Sequence, residues 1–199
     1  MDHKQQQNNL KNYFDTLGGA GIEWQHLTLP MESHLICKGD FLFRQGDSAN
    51  RLYFLHTGLV RYVSVSDEGK EFTQSFIKGP RIIGSTRAMV MDAKVLFGIQ
   101  ALDNCVISSY PWQAFYEQMR QDKCFLECYV HFLESIFISR EERTRSFVKH
   151  SAERRYLDFC TENRMLKDLI PQQYIASYIG ITPEALSRIR KQLQIKRFS

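Results

Sequence analysis

The sequence predicts an α+β protein with an N-terminal antiparallel β-sandwich or jelly roll, a long helix and a C-terminal helix-turn-helix. Short apolar runs broken by Gly, Asp and Asn fill residues 32–110. A stretch without Gly or Pro follows over 122–149, and two short helical segments flank a Gly-centred turn after residue 171. The corresponding boundaries are 1–120 for the β domain, 121–149 for the long helix and 150–199 for the helix-turn-helix domain.

The chain begins with a segment rich in Gln and Asn. The composition of residues 1–9 is typical of a disordered tail. Residues 8–19 then predict a short helix, because Gly18 and Gly19 stand where a helix commonly ends.

The β region consists of β-branched and aromatic runs separated by turn residues at regular intervals. The predicted strands are 41–44, 52–55, 59–65, 72–77, 95–101 and 106–110. Strands this short and this evenly spaced favour an antiparallel sandwich or a jelly roll. Pro111 ends the region, and a helical stretch begins at Trp112.

The long helix carries large aromatic side chains at steps of three and four residues. Its predicted seam contains Phe125, Cys128, Tyr129, Phe132 and Ile136. A lone surface helix would not expose such a seam, so we expect it to form a homodimer interface. The alternative is that this face packs only on the β domain of its own chain.

A new helix is predicted soon after the long one. Ser151 is a good N-cap, which places a hinge near His150 and a helix from Ala152 to about Arg164. We expect this helix to support the helix-turn-helix.

The helix-turn-helix is predicted from caps and apolar spacing. Ile175 and Ile179 place one apolar stripe on the first helix, and Gly180 stands where that helix ends. Thr182 suits the N-cap and Pro183 the first position of the second helix.

The second helix of this motif presents a polar, basic face. At about 100° per residue, Glu184, Ser187, Arg188 and Lys191 lie opposite the apolar stripe. A carboxylate, a guanidinium and an ammonium group on one face could read base edges and hold phosphates in a DNA major groove. The complete set of predicted DNA-binding residues is Gln172, Gln173, Thr182, Glu184, Ser187, Arg188, Arg190 and Lys191. The alternative is a helical hairpin with a solvated basic face.

The charge distribution supports a nucleic-acid partner. The net charge is +4, but residues 140–199 carry 13 Lys and Arg against 7 Asp and Glu, whereas residues 1–139 carry 13 against 15. A basic end on a slightly acidic body suits a DNA-binding appendage.

Several other classes of protein are disfavoured. The number of cysteines, five, is odd, and no two of them form a CxxC pair, so we expect no disulfide framework. Because CxxC pairs are missing and no two of the six histidines are at i, i+2, we also expect no metal site. The sequence contains no recognisable set of catalytic residues, which disfavours an enzyme, including a metal enzyme of the cupin type. Because no apolar run approaches the ~20 residues of a membrane span and no secretory signal begins the chain, we expect a cytoplasmic protein without membrane contact.

Three stretches carry a resemblance to a known family. Residues 38–47 are similar to a G-x-x-(aliphatic)-x-x-x-G-(acid) entry to a β-roll, and residues 52–58 to its next strand and turn. Residues 181–188, Ile-Thr-Pro-Glu-Ala-Leu-Ser-Arg, are similar to a recognition helix. Over nearly its whole length the chain resembles the cyclic-AMP receptor protein / fumarate–nitrate regulator (Crp/Fnr) family of bacterial transcription factors. The amino-acid sequence of the helix-turn-helix is most similar to that of family members from the Bacteroides group.

The resemblance implies a homodimeric transcriptional regulator with a double-stranded β-helix (jelly roll) sensor domain, a dimerisation helix and a DNA-binding domain. Its implied partners are a near-palindromic double-stranded operator and RNA polymerase. The base-contacting Glu and Arg of the family fall on Glu184 and Arg188, while its first recognition Arg falls on Pro183. The alternative of a small-molecule-binding module without DNA function is disfavoured by the basic C-terminal end.

The sensor motif departs from the family pattern. Cyclic-nucleotide binders use a Gly-Glu pair and a later Arg-(Ser/Thr), but Ser85 follows Gly84 here and the second pair falls on Val95-Leu96. Cyclic AMP is therefore not the expected effector, and no cofactor is expected. The alternatives are a roll without ligand and a pocket for another molecule, such as an acidic metabolite. The candidate pocket residues are Gly84, Ser85, Thr86, Arg87 and Tyr129.

Overall fold

The structure is a computed structural model that describes residues 1–198, with side chains described for residues 1–193. Its helices are α1 (His3–Thr16), α2 (Thr86–Met91), α3 (Trp112–Met119), α4 (Lys123–Lys149), α5 (Ala152–Glu162), α6 (Gln172–Ile179) and α7 (Pro183–Phe198), with a 3₁₀ turn at Trp24–His26. Its strands are β1 (Glu32–Ile36), β2 (Phe41–Phe43), β3 (Arg51–Thr57), β4 (Leu59–Val65), β5 (Glu71–Lys78), β6 (Arg81–Ile83), β7 (Gly98–Ala101) and β8 (Cys105–Pro111).

The strands form two four-stranded antiparallel sheets. Sheet 1 has the order β1-β8-β3-β6 and sheet 2 the order β2-β7-β4-β5. Their inner faces share one apolar core, which includes Leu55, Tyr62, Ile99 and Ile107. This β-roll, followed by α4 and the C-terminal helices, confirms the predicted fold class.

Helices α1, α3 and α4 cover the outer face of sheet 1. Phe54 of β3 packs in one buried cluster with Phe14 of α1, Phe115 of α3 and Phe125 of α4. Phe14 and Phe125 have ring centroids 6.0 Å apart, and Phe115 and Phe125 have theirs 5.7 Å apart. We call this apolar layer the first cover.

The first residues of the chain are helical, so the predicted disordered tail is wrong. Asp2 caps α1 by accepting a hydrogen bond from the amide of Gln5 at 2.7 Å. The amide of the buried Gln6 side chain donates to Ser33 Oγ at 2.8 Å. A cap and a buried polar contact therefore extend the helix five residues beyond its predicted start.

Helix α4 has the predicted length, but its aromatic seam does not face outward. Phe125 is 1 % exposed and Cys128 is also buried, both within the first cover. Tyr129 stacks on Phe125 with ring planes 3° apart. Phe132 and Ile136 line a cleft against the β-roll. Phe125 and Cys128 are therefore not available to a second chain, because they are buried within their own, whereas Tyr129, Phe132 and Ile136 are half-buried and their place in a dimer seam stays a prediction.

Two local predictions differ from the structure around residues 84–97. A short helix, α2, was not predicted, and it begins because Ser85 Oγ accepts a hydrogen bond from the amide of Ala88. The strand predicted over 95–101 begins only at Gly98. Val95 instead exchanges backbone hydrogen bonds with the turn at residues 46–47, at 2.9 and 3.0 Å.

The hinge at the end of α4 is confirmed. His150 is extended, and Ser151 caps α5 by accepting from the amide of Arg154. Within residues 1–198, no helix is both long and apolar enough to cross a bilayer.

Candidate DNA-binding face and effector cleft

The turn between α6 and α7 has the geometry that its sequence predicts. Gly180 ends α6 in the left-handed region, with φ 75° and ψ 38°. Ile181 donates its amide to Ala176 O at 3.0 Å, which satisfies a free carbonyl at the helix end. Thr182 Oγ1 accepts from the amide of Ala185 at 3.2 Å, and α7 begins at Pro183. These caps fix the angle between the two helices.

The end of α6 is also held by α4 and α5. Arg143 of α4 donates to Tyr178 O at 2.9 Å, and Arg155 of α5 donates to Ile179 O at 2.9 Å. Both guanidinium groups lie 4.9 Å from the ring centroid of Phe147. Phe147 lies directly below Gly180, where a Cβ would approach its ring to 2.7 Å. A glycine is therefore needed here for its backbone angle and for the space it leaves.

The buried stripe of α7 leaves its polar face in solvent. Leu186 is buried with Ile175, Ile179 and Phe159. The exposed predicted DNA-binding residues are Gln172, Gln173, Thr182, Glu184, Ser187, Arg188 and Lys191, whereas Arg190 is half-buried. Gln172, at the start of α6, lies beside Ser187, Arg190 and Lys191 of α7, with which it lines one shallow depression.

Glu184 is fixed in its charged form by the start of α7. Hydrogen bonds to its own backbone amide and to Thr182 lower the pKa of this carboxyl. The carboxylate is thus available as an acceptor at neutral pH beside the cations of Arg188 and Lys191.

A cleft of about 640 Å³ lies between β5, β6 and α2 of the roll on one side and α4 to α6 on the other. Its cationic lining residues are Lys78, Arg81, Arg87, Arg140 and Arg143. The acidic lining residue in the described part of the chain is Glu162, whose pKa is raised by burial and by Asp158. An excess of cations beside Tyr62, Phe97 and Phe132 suits an anion that carries an apolar or aromatic group.

The predicted pocket residues meet this cleft in part. Gly84, Ser85, Thr86 and Arg87 all line it. Tyr129 does not, because it packs in the first cover against Trp112 at 5.3 Å between ring centroids. The placement of Tyr129 in the pocket is therefore wrong.

The polar groups of this loop are already engaged. The amide of Gly84 donates to the Tyr62 hydroxyl at 2.9 Å, and burial raises the pKa of Tyr62 to about 12. Ser85 is buried and caps α2. Thr86 and Arg87 are the exposed members of the set.

The second half of the family's phosphate motif has no cation here. Val95 is buried in the core between the two sheets. Lys94 lies nearby, but its ammonium group donates to Ser48 Oγ at 3.0 Å and the residue does not line the cleft.

The sequence analysis missed the cleft residues that α4 supplies. Ser135, Ser139, Arg140 and Arg143 continue the face of Phe132 and Ile136 toward the C-terminal helices. The sequence did contain a signal for them, because the side chains along this face of α4 change from aromatic to Ser and Arg. Such a change indicates that the face leaves the apolar core and borders solvent. Among the described residues, no three His, Cys, Asp or Glu side chains are grouped as metal ligands.

Comparison with known proteins identifies the type of fold. Residues 34–122 match the family model for the cyclic nucleotide-binding domain. An anaerobic regulatory protein from Haemophilus influenzae is 23% identical over 171 residues, 80% of this chain and 65% of that protein. An anaerobic regulatory protein from Pasteurella multocida is 25% identical over 171 residues, 80% of this chain and 62% of that protein. The chain thus spans less than two thirds of the length of these two relatives.

The solved structure of FixK2 from Bradyrhizobium japonicum superimposes with a TM-score of 0.71 at 16% identity, covering 84% of this chain and 86% of that one. At this identity the likeness concerns the fold, and it extends over more of the chain than the β-roll alone. Residues 34–122 are therefore similar to cyclic nucleotide-binding domains, in a chain whose fold resembles that of FixK2.

Proposed function

We propose that this chain is a DNA-binding transcriptional regulator, acting as a homodimer, rather than an enzyme. The observation that carries the proposal is the capped α6–α7 pair with the exposed face of Glu184, Ser187, Arg188 and Lys191. A recognition helix fixed by its own caps and backed by a buried stripe is the arrangement that enters a major groove. Its partners are a near-palindromic operator and RNA polymerase, and α7 has the sequence character of Bacteroides-type members.

The roles of two cations on α7 can be separated experimentally. Arg188→Ala should cost about 1–3 kcal/mol per half-site and relax sequence preference, because a bidentate contact to guanine is lost. Lys191→Ala should weaken binding to all duplexes alike and reduce the salt dependence, because a phosphate contact is lost. Fluorescence anisotropy with a selected operator and a scrambled duplex of equal length measures both. An equal loss on both duplexes for Arg188→Ala would reject base reading by this residue.

The second copy of the chain is assigned to the free side of α4. Beside the aromatic seam, about 100° around α4, runs a second apolar stripe that is in part exposed to solvent. We call it the outer stripe, and it consists of Leu126, Val130, Leu133 and Phe137, of which Leu126 and Leu133 are half-buried. Its steps of three and four residues suit a two-helix coiled coil. Val130 is 50 % exposed and Phe137 66 % exposed, which is unusual for unpartnered residues on a lone helix.

Light scattering tests this dimer with a matched pair of variants. Phe137→Glu places a charge in the stripe and should convert the dimer to a monomer at micromolar concentration. Ile138→Glu is the control, because Ile138 is similarly exposed at 54 % but lies about 100° around the helix. A monomeric parent protein, or equal effects of the two variants, would contradict the assignment.

The effector of the cleft is proposed to be an anion other than cyclic AMP. Support comes from the cations around the cleft and from the missing phosphate motif at Ser85 and Val95. Calorimetry with cyclic AMP should give no saturable binding at micromolar concentration, because an anion without a cationic partner at that position loses several kcal/mol. Saturable binding that Arg87→Ala abolishes would show a rearranged cyclic-nucleotide site instead.

A further inference from the structure

The cations around the cleft are not paired with acidic groups. Elsewhere in the roll, Arg51 pairs with Glu32 and Arg61 pairs with Glu71. Among residues 1–193, whose side chains the structure describes, no cation that lines the cleft forms such an ion pair. We call this set the cleft cations, and it consists of Lys78, Arg81, Arg87, Arg140 and Arg143.

The cleft cations come from four elements and stand on both sides of the cleft. Lys78 ends β5, Arg81 begins β6 and Arg87 lies in α2. Arg140 and Arg143 lie on α4, three residues apart, so they are neighbours on the surface of that helix. The positive charge is therefore spread along the cleft and is not focused at one point.

The two arginines of α4 interact with each other and lack a counter-charge. Burial lowers the pKa of Arg143, and the nearby charge of Arg140 acts in the same direction. The Arg143 guanidinium donates to Thr73 O at 3.4 Å and to Tyr178 O at 2.9 Å, which are neutral carbonyl oxygens. Like charges this close repel each other, so an anion between them and the roll would relieve the repulsion.

An aromatic wall lines the same cleft. Phe97 stacks on Tyr62, with ring centroids 5.0 Å apart and ring planes 19° apart. Phe97, Phe132 and Ile136 are half-buried and face the cleft. The charge of Arg140 acts on the Tyr62 hydroxyl, where it opposes the rise in pKa that burial causes. A planar ring against Phe97 would extend the stacked pair, while its charged substituents meet the cations of α4.

The balance of charge favours a ligand with several negative charges. The five cleft cations face one carboxylate in the described part of the lining, that of Glu162. Burial and the charge of Asp158 raise the pKa of Glu162, which favours its neutral form. A cyclic nucleotide monophosphate carries a single negative charge and would leave most of the cations unpaired. A chain of phosphates instead presents several charges over an extended length, and guanidinium groups bind phosphate oxygens strongly.

We propose that the cleft binds a nucleoside di- or triphosphate, with its phosphates on the cleft cations and its base on the aromatic wall. The proposal rests on the proposed effector function of the cleft and names the class of its ligand. Phosphate binding is assigned to α4 and to the ends of β5 and β6, whereas the family motif would place its cation at Val95. The volume of about 640 Å³ lies within the range of about 300–1,000 Å³ that is usual for small-molecule sites.

A charge series tests the ligand class by calorimetry at physiological ionic strength without divalent cations. The series is adenosine, AMP, ADP and ATP, with the guanine series in parallel. In at least one series the nucleoside should not bind at micromolar concentration, and affinity should rise about tenfold with each phosphate added to the monophosphate. Tripolyphosphate, which lacks the ring, should bind about tenfold more weakly than the triphosphate. Affinity that does not rise with charge in either series, absence of binding in both, or equal binding of tripolyphosphate would overturn the proposal.

A matched pair of variants locates the phosphates. Arg140→Gln should weaken binding of the better triphosphate by about tenfold, because one cation leaves the cleft. Arg145→Gln is the control, since Arg145 is exposed on the same helix but does not line this cleft. Equal effects of the two variants would overturn the assignment. So would triphosphate binding that depends on Arg188, because it would place the ligand on the DNA-binding face.

The nucleotide titrations need no DNA, so the ligand class and the DNA-binding function fail separately. Operator binding by a protein that binds no nucleotide would overturn the ligand class alone. Nucleotide binding that follows the charge series and depends on Arg140, in a protein that binds no duplex, would support the ligand class and reject the proposed regulator.

Discussion

The two sheets of the β-roll are both covered by helices on their outer faces, but the two covers differ in chemistry. Sheet 1 meets α1, α3 and α4 through Phe54, Phe14, Phe115 and Phe125, all almost fully buried. Sheet 2 meets α6 in a second cover that combines the buried guanidinium of Arg61 and backbone groups bonded to side chains with an apolar cluster that includes Leu59 and Phe76. Large apolar area cannot be exposed cheaply, whereas polar groups exchange protein partners for water at small net cost. The first cover is therefore part of the folded core, whereas the second, with its larger share of polar contacts, should cost less free energy to open.

The largest expected effect is in the first cover. Phe54→Ala should lower the free energy of unfolding by about 3–5 kcal/mol, since it leaves a cavity in the first cover beside Tyr13. Phe76→Ala in the second cover should cost less than half as much, because Phe76 is half-buried and its neighbours can be solvated. Urea unfolding followed by circular dichroism measures both. Equal losses would remove the distinction between the two covers.

A smaller effect concerns His56, which is buried on the same side of sheet 1. It lies against Phe54 at 4.8 Å between ring centroids and bonds Ser108 Oγ at 2.9 Å. Burial lowers the pKa of His56 from 6.5 to about 4. As the pH falls from 6.5 to 4, the unfolded chain takes up a proton that the folded chain does not, so stability should fall by about 1–3 kcal/mol over this window. His56→Gln should flatten this dependence, and an unchanged slope would contradict it.

The smallest effect tests whether the second cover opens alone. Ser177→Ala removes the hydroxyl that accepts from Thr73 N and donates to Glu71 O, at a cost of about 1 kcal/mol. The Thr73 amide should then exchange several-fold faster, while the midpoint of global unfolding moves little. Ser135→Ala is the control, because Ser135 donates to Phe132 O within α4. If faster exchange appeared only together with global unfolding, the two covers would form one cooperative unit.

The sequence predicted the α6–α7 turn well because its determinants are local. Gly180, Thr182 and Pro183 act on neighbouring backbone groups, so their effect does not depend on the remainder of the chain. The outward face of α7 follows from its own buried stripe.

The orientation of α4 was not predictable in the same way. This helix has two apolar stripes with heptad-like spacing, one through Phe125, Phe132 and Ile136 and one through Leu126 and Phe137. Periodicity identifies both but does not say which one meets the roll, because that depends on the shape of the outer face of sheet 1. The burial of Phe125 within its own chain could therefore not be inferred from the spacing alone.

The second cover did leave a signal in the sequence. Arg61 interrupts the apolar run of residues 59–63, where a buried charge is costly without partners. Those partners, Glu71 and Tyr174, are 10 and 113 positions away in the chain, so only the tertiary structure brings them together.

The length of α4 has a mechanical consequence. Phe125 is fixed in the first cover, while Phe147, 22 residues later, supports Gly180 at the turn before the recognition helix. At 1.5 Å per residue this lever arm is about 33 Å long. A tilt of about 6° around Phe125 would move the far end by about 3.4 Å, which is the rise of one base pair in DNA. A tilt of this size would thus be enough to shift the recognition helix by about one base-pair step along a duplex.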